Sequence, residues 1–412
     1  MKPRVLIGLL VAALLVIVLA LSMEASRKPA SELSATGPAL PGLLERMETV
    51  EEVRITRAGG ERVATLQRRD DGWQLVEKAY PADADSLRKL LLDLARAKRV
   101  EAKTSNPDLY AKLGVEDVTA KDAQGVQLEL LGGGDPLQLI VGSNYGQGTG
   151  TYVRVPGEAQ SWLIAANIAV ETKTQNWLEK DLIDVQPNRI AAVDVSAGKD
   201  QVLIGRNEDG DFRVTNVPKG REPSSDFVAD ATVGLLQGLR IEDVAAKPAE
   251  PVVERQAKFE LNDGLSIEMS SWQQDNQTWV ALSAALDEDK AKQHIAAEQA
   301  KEVSDWEAEQ AAQSPSAESA EGPDAATANG AGEADAAAEA DQTASAANTD
   351  ESTEAPPLAV SDAEADAQAR LKSLQDQVAS WNAAFDGRQF QLPSFKAGNL
   401  NRGLEDYLKP KE

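Results

Sequence analysis

One stretch of this sequence occurs twice, in similar form, at positions that lie far apart along the chain. Residues 91–103 read LLDLARAKRVEAK and residues 235–247 read LLQGLRIEDVAAK, so leucine, arginine, valine, alanine and lysine fall at matching places. The flanking segments agree in order as well. A short period would indicate a solenoid, but this offset is the size of a domain, so the pattern predicts two successive copies of one folded module.

The first copy begins with segments that have the period of β-strands. VEEVRITRA and RVATLQRRDDGWQLVE alternate apolar and polar residues, and Asp71-Gly72 supplies a turn that favours a hairpin. A helix follows, because four leucines fall on one helical face: Leu87, Leu90, Leu91 and Leu94. VQLELLGGGDPLQLIVG and TYVRV then predict three more strands, and the periodicity of residues 161–182 predicts a closing helix.

The second copy repeats this order. RIAAVDVSAGKDQVLIGRNEDGDFRVTNVP matches the first hairpin, with a type I′ turn predicted at Asp209-Gly210, and FVADATVGLLQGLRIEDVAAK is the helix with its exit. KFELNDGLSIEMSSWQQDNQTWVALSA supplies the later strands. We therefore predict an α+β protein, made of two duplicated strand-strand-helix-strand-strand modules with mostly antiparallel sheets, after one N-terminal transmembrane helix.

The transmembrane helix is predicted from an uninterrupted apolar run at residues 5–23, preceded by Lys2 and Arg4. At 1.5 Å per residue this run spans about 28 Å, close to the thickness of a hydrocarbon core. Its length favours a retained anchor over a signal peptide, although Ala20-Leu21-Ser22 has the spacing that a signal peptidase reads. The basic start predicts a single-pass protein of the bacterial inner membrane, with a cytoplasmic N-terminus and a periplasmic body.

The changes in composition predict the limits of each part. We expect a membrane anchor at residues 1–26, a tether at 27–47, the first module at 48–183 and the second at 184–412. An acidic insertion at about 285–370 interrupts the second module. It begins with a helix-prone segment, but residues 314–357 lack Lys and Arg and have almost no large apolar residue, so this tract is predicted to be disordered.

The charge and the residue types exclude several classes of function. The net charge is -25, and an acidic chain repels a phosphate backbone, so we expect no nucleic-acid partner. The absence of cysteine excludes disulfides, thiolate zinc sites and cysteine nucleophiles. The one histidine, His294, lies in the charged segment KAKQHIAAEQ, which predicts a solvated helix surface rather than a general base.

Three loops resemble ligand-binding motifs but have simpler interpretations as turns. Residues 142–150, GSNYGQGTG, lack the ending of a P-loop and precede a strand, and residues 132–135 are similar. Residues 207–211, NEDGD, resemble part of a calcium loop, but Asn216 stands where the bidentate glutamate is required. We therefore predict no catalytic residue, no cofactor and no metal site.

Six aromatic residues recur at similar places in the two copies: Trp73, Tyr80, Trp162, Trp177, Trp272 and Trp279. Large aromatic side chains are mostly buried, so most of these are predicted to anchor the core or a sheet face. Any that are exposed together would mark a surface for a partner.

The order of several short segments resembles a known family. The basic start and single span are followed by DGWQL, YPADADSLRKLLLDLARAKRVEAK, YVRV, WLEKDLIDVQPNRIAAVDV, FRVTNVPKG and LRIEDV. This resembles the bacterial domain-of-unknown-function 4340 proteins over residues of about 48–280 and again from about 381 to the end. The resemblance implies a membrane-anchored envelope protein that accompanies ABC-type export systems of the gliding-motility auxiliary kind, and it implies no catalytic residues.

Three functions are compatible with these observations. The first is a non-enzymatic accessory or scaffold protein, whose partners would be an ABC transporter ATPase and permease with an auxiliary subunit, and the inner membrane through residues 5–23. The second is a structural envelope protein that binds cell wall or a polymer through exposed aromatic residues. The third is a hydrolase that uses a pair of carboxylates brought together from both modules.

Overall fold

The computed structural model describes residues 37–225, 227–313 and 356–410. The predicted membrane anchor, residues 1–26, lies outside these ranges, as does the tract predicted to be disordered, apart from Pro356 and Pro357. Within the described ranges, no helix is both long enough and apolar enough to cross a membrane. The chain is mixed helix and sheet, and every strand pair among the described residues is antiparallel.

The first half of the chain forms a large sheet. Its strands are β1 (Gly37–Pro38), β2 (Glu52–Arg57), β3 (Glu61–Arg69), β4 (Gly72–Leu75), β5 (Tyr80–Pro81), β6 (Lys98–Ala102), β7 (Val126–Leu131), β8 (Leu137–Asn144), β9 (Thr151–Arg154) and β10 (Ser161–Ile164). They lie in the order β1-β6-β10-β9-β8-β7-β2-β3-β4-β5. The alternating residues of β2 explain its position, because Val53 and Ile55 point into the core, where Val53 pairs with Leu66 and Leu130.

The second half forms a small sheet and another large sheet. The small one pairs β11 (Asp181–Ile183) with β15 (Leu239–Arg240). The large one contains β12 (Ile190–Ala197), β13 (Asp200–Arg206), β14 (Phe212–Val214), β16 (Asp243–Ala246), β17 (Arg255–Leu261), β18 (Leu265–Gln274), β19 (Gln277–Leu286) and β20 (Arg388–Gln391). Its order is β14-β13-β12-β17-β18-β19-β20-β16.

The two large sheets share one strand order. Without its end strands β1 and β5, the first reads β6-β10-β9-β8-β7-β2-β3-β4, and the second, in the same direction, reads β16-β20-β19-β18-β17-β12-β13-β14. Two isolated bridges also correspond, because Ala82 pairs with Leu178 in the first half and Pro223 pairs with Leu408 in the second. Each strand of the first sheet, apart from β1 and β5, therefore has a counterpart in the second sheet with the same place in the chain order and the same neighbours.

In each half a helix follows the equivalent hairpin, β3–β4 in the first half and β13–β14 in the second. The first half starts with the short α1 (Leu43–Arg46) and then has α2 (Ala84–Arg96), where the Asp83 side chain caps the N-terminus by accepting from the Ser86 amide at 2.8 Å. The four predicted leucines of α2 are all buried, so that prediction is confirmed. The second half has only α3 (Asp230–Val233) and a 3₁₀ turn (Gly234–Leu236), so the predicted helix is shorter than expected.

The closing helix predicted at residues 161–182 is wrong. All four residues of β10 are buried and pair with β6 and β9, and a 3₁₀ turn (Thr174–Trp177) precedes β11. A short apolar run has the same periodicity in a buried strand as in a buried helix, and only its strand neighbours decide between them. The equivalent segment at the C-terminus contains β20, followed by α7 (Ser394–Leu400) and a 3₁₀ turn (Leu404–Tyr407).

Two predicted turns differ in detail from those in the structure. The β3–β4 hairpin is confirmed, but Asp70 and Asp71 form its loop and Gly72 begins β4. The type I′ turn at Asp209-Gly210 is wrong, because among described non-glycine residues only Ala79, Asp275 and Asn276 have positive φ. The loop at 207–211 is too long for that turn, and the two-residue connection Asp275-Asn276 between β18 and β19 has the geometry instead.

Part of the predicted tether is folded onto the first sheet. Leu40 and Leu43 are buried, and the Ala39 amide donates to the Ala97 carbonyl at 2.8 Å. Residues 37–47 therefore belong to the body, because the apolar residues of this Pro- and Gly-containing stretch have a surface to cover.

The predicted helical insertion forms an arm of two long helices. α4 (Glu288–Gln313) leaves the end of β19, and α6 (Ala363–Phe385) returns to β20 after the short α5 (Leu358–Ser361). In the first half, the equivalent strands β9 and β10 are joined by residues 155–160 alone. We name the described residues of this insertion, 287–313 and 356–387, the helical arm. The returning helix continues to Phe385, past the predicted end of the insertion near residue 370.

One cluster of buried apolar side chains continues through both halves. Tyr80 of the first sheet meets Phe390 of the second edge to face, with ring centroids 6.1 Å apart. Nearby, the Lys78 ammonium lies 2.7 Å from the Asp243 carboxylate and donates to the Val244 carbonyl at 3.1 Å. The two sheets are therefore joined by both apolar and charged contacts.

Candidate functional site

A cleft of about 520 Å³ lies between the base of the helical arm and the second sheet. We name it the arm cleft. The body side supplies Asn188, Arg189, Asn262 and Asp263, and the arm supplies His294, Ile295, Glu298, Arg370, Ser373 and Leu374. The one histidine of the chain thus lies beside four charged side chains.

Close packing at the turn between β17 and β18 fixes the start of the arm. Ala291 and Ile295 of α4 are buried, and Ala291 lies directly against Gly264, which has a φ of +83°. On the returning helix, the Asn382 side chain donates to the Ala284 carbonyl and accepts from the Ala284 amide, both at 2.8 Å. This pair satisfies the edge of β19 where β20 is too short to reach it.

The arm side of the cleft is a chain of ion pairs around Arg370. Its guanidinium lies 2.7 Å from Asp366, 2.8 Å from Glu302 and 3.5 Å from Glu298. The hydrogen bond with Glu302, followed by that with Asp366, raises the pKa of Arg370. These contacts join α4 to α6 and keep the two helices of the arm side by side.

His294 continues this network. Its Nε2 atom lies 3.2 Å from Glu298, one turn along the same helix, and 30% of the side chain is exposed. The sequence predicted an open helix surface without an orienting partner, whereas the structure places the ring in a cleft beside a carboxylate. Only the spacing of four residues between His294 and Glu298 signalled this contact in the sequence.

The body side is joined to the arm by Arg189. Its guanidinium lies 2.5 Å from Asp263 and 3.4 Å from the Gln377 side chain of α6. Asn262 donates from its side chain to the Asn188 carbonyl at 2.9 Å, so the loops before β12 and after β17 are joined. These hydrogen bonds therefore join the two loops of the body to each other and the body to the arm.

The arm cleft contains a histidine–carboxylate pair but no assembled nucleophile. Ser373 lines the same cleft, yet no hydrogen bond joins it to His294 in the described part of the chain. Within the described residues, no group of three or more His, Asp or Glu side chains could hold a metal ion. The arrangement is suited to joining the arm and the body through charge.

The loops that resemble ligand-binding motifs are hairpin connections, as predicted. Residues 132–136 join β7 to β8, and residues 145–150 join β8 to β9. Residues 207–211 join β13 to β14, and the Asn207 side chain accepts from the Asp211 amide at 2.8 Å. Glycine is required at such connections because several of these positions have positive φ.

Most of the six aromatic residues lie in the interior, and that prediction is confirmed. Five of them are no more than 7% exposed: Tyr80, Trp162, Trp177, Trp272 and Trp279. Trp73 is only partly buried and packs against the core from one side. It therefore marks the one member of this set that a partner molecule can reach.

A second cleft, of about 470 Å³, lies around this tryptophan, between the β3–β4 hairpin and α2. We name it the Trp73 cleft. Its apolar lining comes from Met47, Trp73, Ala84, Leu87, Leu91 and Leu92, and its charged lining from Arg68, Arg69, Arg88, Glu48 and Asp70. The Arg68 guanidinium lies over the Trp73 ring, 5.2 Å from its centroid.

A family model described as a domain of unknown function, DUF4340, matches residues 73–326, which is more than half of the chain. The chain belongs to this family. The DUF4340 match begins in β4 and continues through β19 into the arm, so it includes Trp73 and His294. Comparison with curated proteins and with solved structures gave no match.

Proposed function

We propose that this DUF4340 protein is a non-enzymatic accessory or scaffold protein, held in a bacterial inner membrane by residues 5–23, with its body in the periplasm. It would bind an ABC-type transporter, with the ATPase, the permease and an auxiliary subunit as partners. The apolar run after Lys2 and Arg4 supports the anchor and its orientation. The family resemblance supplies the transporter, through its gliding-motility auxiliary members.

The helical arm carries the proposal of a scaffold. It is inserted between two strands that the first half joins with residues 155–160 alone. The 26 residues of α4 extend about 39 Å, and most of the side chains described for this helix are exposed, while Ala291 and Ile295 are buried at its base. A helix that buries so few side chains adds little to a core, and its exposed length is available to contact a partner.

We also propose that the two large sheets arose by duplication of one module. Their shared strand order supports it, as do the equivalent bridges of Ala82 with Leu178 and Pro223 with Leu408. After such a duplication, one copy keeps the original contacts while the other is free to gain the arm.

The alternatives have less support. Binding of cell wall through exposed aromatic residues requires several of them on one surface, and five of the six candidates are interior. A carboxylate hydrolase requires an acid that can donate a proton, but Glu298 and Asp263 in the arm cleft are each ion-paired with an arginine.

The test is affinity capture of the tagged full-length protein from gently solubilised membranes. We expect an ABC ATPase and its permease to be recovered with it. A variant with residues 299–369 replaced by a short Gly-Ser turn keeps the buried base of the arm, and we expect it to recover at least about tenfold less partner.

Two controls separate the parts of this proposal. Removal of residues 1–23 tests whether the anchor brings the protein to its partner. Recovery of the full-length protein alone would contradict the transporter partnership. Equal recovery by the variant with the shortened arm would contradict the role of the arm and leave the partnership intact.

A further inference from the structure

The arginine and tryptophan of the Trp73 cleft can be compared with an equivalent pair of residues in the second half of the chain. Arg68 of β3 pairs with Trp73 of β4, and Arg206 of β13 pairs with Phe212 of β14 at the same position of the shared strand order. Both guanidiniums lie over their aromatic neighbour, at 5.2 Å for Arg68 and 4.1 Å for Arg206. The two arginines therefore occupy equivalent positions, and their other contacts can be compared.

Arg206 is a structural residue. Its guanidinium donates to the carbonyls of Gly210 at 2.8 Å, Pro187 at 3.1 Å and Ile190 at 3.1 Å. The guanidinium N–H groups of Arg206 are thus hydrogen-bonded to backbone carbonyls of the same half of the chain. The ring beneath it, Phe212, is 7% exposed.

Arg68 lacks these contacts. Among the described residues its guanidinium makes no hydrogen bond or ion pair, and its neighbour Arg69 bonds only to the amide side chains of Gln67 and Gln74. In the described part of the chain neither of these adjacent arginines has a carboxylate partner, although the sequence contains 67 acidic residues. Arg68 instead lines the Trp73 cleft, together with apolar and charged side chains.

We propose that the Trp73 cleft is the docking site for a peptide segment of a protein partner, in which a carboxylate stands beside an apolar side chain. This proposal rests on the scaffold function proposed above. A guanidinium fixed by an aromatic ring keeps a planar fork of N–H donors, which matches a carboxylate in two parallel hydrogen bonds. Met47, Leu87 and Leu91 line the space for the apolar side chain.

The remaining charges select this partner over a polyanion. Glu48 and Asp70 line the same cleft, and the chain as a whole carries -25. A nucleic acid or an anionic membrane would be repelled by these charges, whereas one carboxylate bound by Arg68 and Arg69 is neutralised locally. Trp, Arg and Met are also among the residue types that are enriched at protein interfaces.

The experiment places a photo-crosslinking amino acid at position 48, on the rim of the cleft, in the full-length protein in its native membrane. After irradiation, mass spectrometry identifies the crosslinked segment. We expect a protein segment that contains Asp or Glu next to an apolar residue. Arg68→Gln should lower the crosslinked yield at least about tenfold, and Arg68→Lys, which keeps the charge but not the fork, should also lower it.

Arg206→Gln is the matched control. It removes the equivalent guanidinium, so it should lower the unfolding temperature while the yield per folded molecule is unchanged. Arg68→Gln should do the opposite. The docking proposal is overturned by a crosslink to lipid or polysaccharide, by no crosslink, or by a yield that Arg68→Gln does not change.

These outcomes are distinguishable from failure of the scaffold function. If Arg68→Gln leaves the crosslinked yield unchanged and the ATPase and permease are still recovered in full, the Trp73 cleft is not the docking site and the transporter partnership stands. If the crosslinked segment has the expected chemistry and Arg68→Gln lowers its yield, but the full-length protein recovers no ATPase or permease, the docking proposal stands and the transporter partnership fails.

Discussion

At the scale of single residues, Lys396 shows how a buried charge stabilises a short helix. Its ammonium group donates to the carbonyls of Gly234 at 2.7 Å, Leu235 at 3.0 Å and Gln237 at 2.8 Å, where the chain leaves α3 and its 3₁₀ turn. Burial lowers the pKa of Lys396, and Asp184 opposes this effect. All three donors of the lysine are therefore satisfied by one helix end.

We predict that Lys396→Met lowers the free energy of unfolding by roughly 2 to 3 kcal/mol, because buried carbonyls lose a charged donor. Urea denaturation monitored by circular dichroism measures this change. Lys121→Met is the control, since Lys121 is exposed and should be close to neutral. Equal stability of both variants would contradict the structural role of Lys396.

A second residue-scale prediction concerns alkaline pH. Burial raises the pKa of Tyr80 to about 12, with Arg388 opposing, and burial also raises the pKa of Tyr407. An unfolded tyrosine loses its proton near pH 10, whereas the folded Tyr80 keeps it to about pH 12. The stability that Tyr80 contributes is thus fully present below pH 10 and is lost as the pH rises towards 12.

Tyr80→Phe should therefore make the decline of stability above pH 10 less steep. Tyr407 still titrates in that variant, so part of the decline should remain. The measurement is the urea midpoint of wild type and variant at a series of pH values from neutral to 12. Parallel curves for the two proteins would show that Tyr80 does not titrate as expected.

At the scale of elements, the junction of the arm depends on one glycine. A Cβ atom at Gly264 would lie 2.6 Å from the Ala291 amide nitrogen and 2.7 Å from the Asp287 carbonyl oxygen. Both are backbone atoms at the start of α4, so neither can move without moving the helix. The positive φ of +83° adds a preference for glycine at the same position.

We predict that Gly264→Ala displaces the start of the arm and lowers stability by about 2 kcal/mol more than a comparable turn substitution. Gly198→Ala is that comparison, because Gly198 also has a positive φ of +61° but nothing lies within 4 Å of its added Cβ. Hydrogen exchange of residues 284–300 should accelerate in Gly264→Ala alone. Similar exchange in both variants would mean that close packing at Gly264 does not hold the arm.

At the scale of the whole molecule, the two large sheets share one core. Phe390 of β20 is fully buried and contacts Tyr80 of the first half and Phe385 of the arm, with ring centroids 6.1 and 6.4 Å away. The ion pair of Lys78 with Asp243 lies beside this contact. Because these groups come from three parts of the chain, we expect the halves to unfold together.

Phe390→Ala should lower the free energy of unfolding by about 3 to 5 kcal/mol, the usual effect of removing a buried aromatic ring. It should also accelerate hydrogen exchange in β2 and β3, in the half of the chain that does not contain the substitution. Faster exchange confined to residues 184–410 would indicate instead that the halves are independent.

The sequence alone determined the repeated order of segments, because the period of apolar residues is a local property. The strands at 52–75 and 255–286 and the helix of Leu87 to Leu94 follow from that period and from turn residues. The family, too, was recognisable from short segments in order. The run from Ser161 to Ile164 was misread as helical, since its apolar residues suit either structure until its neighbours are known.

The two clefts could be identified only from the tertiary structure, because each is lined by residues from separate segments of the chain. His294 gains a partly enclosed environment only when α4 packs on the loops of the second sheet, and the sequence separates it from Arg189 and Asp263. Arg68 and Arg206 look alike in sequence, and they differ because backbone carbonyls surround one guanidinium and a cleft lies beside the other. Contacts between distant segments depend on how whole elements pack, which no local pattern of residues encodes.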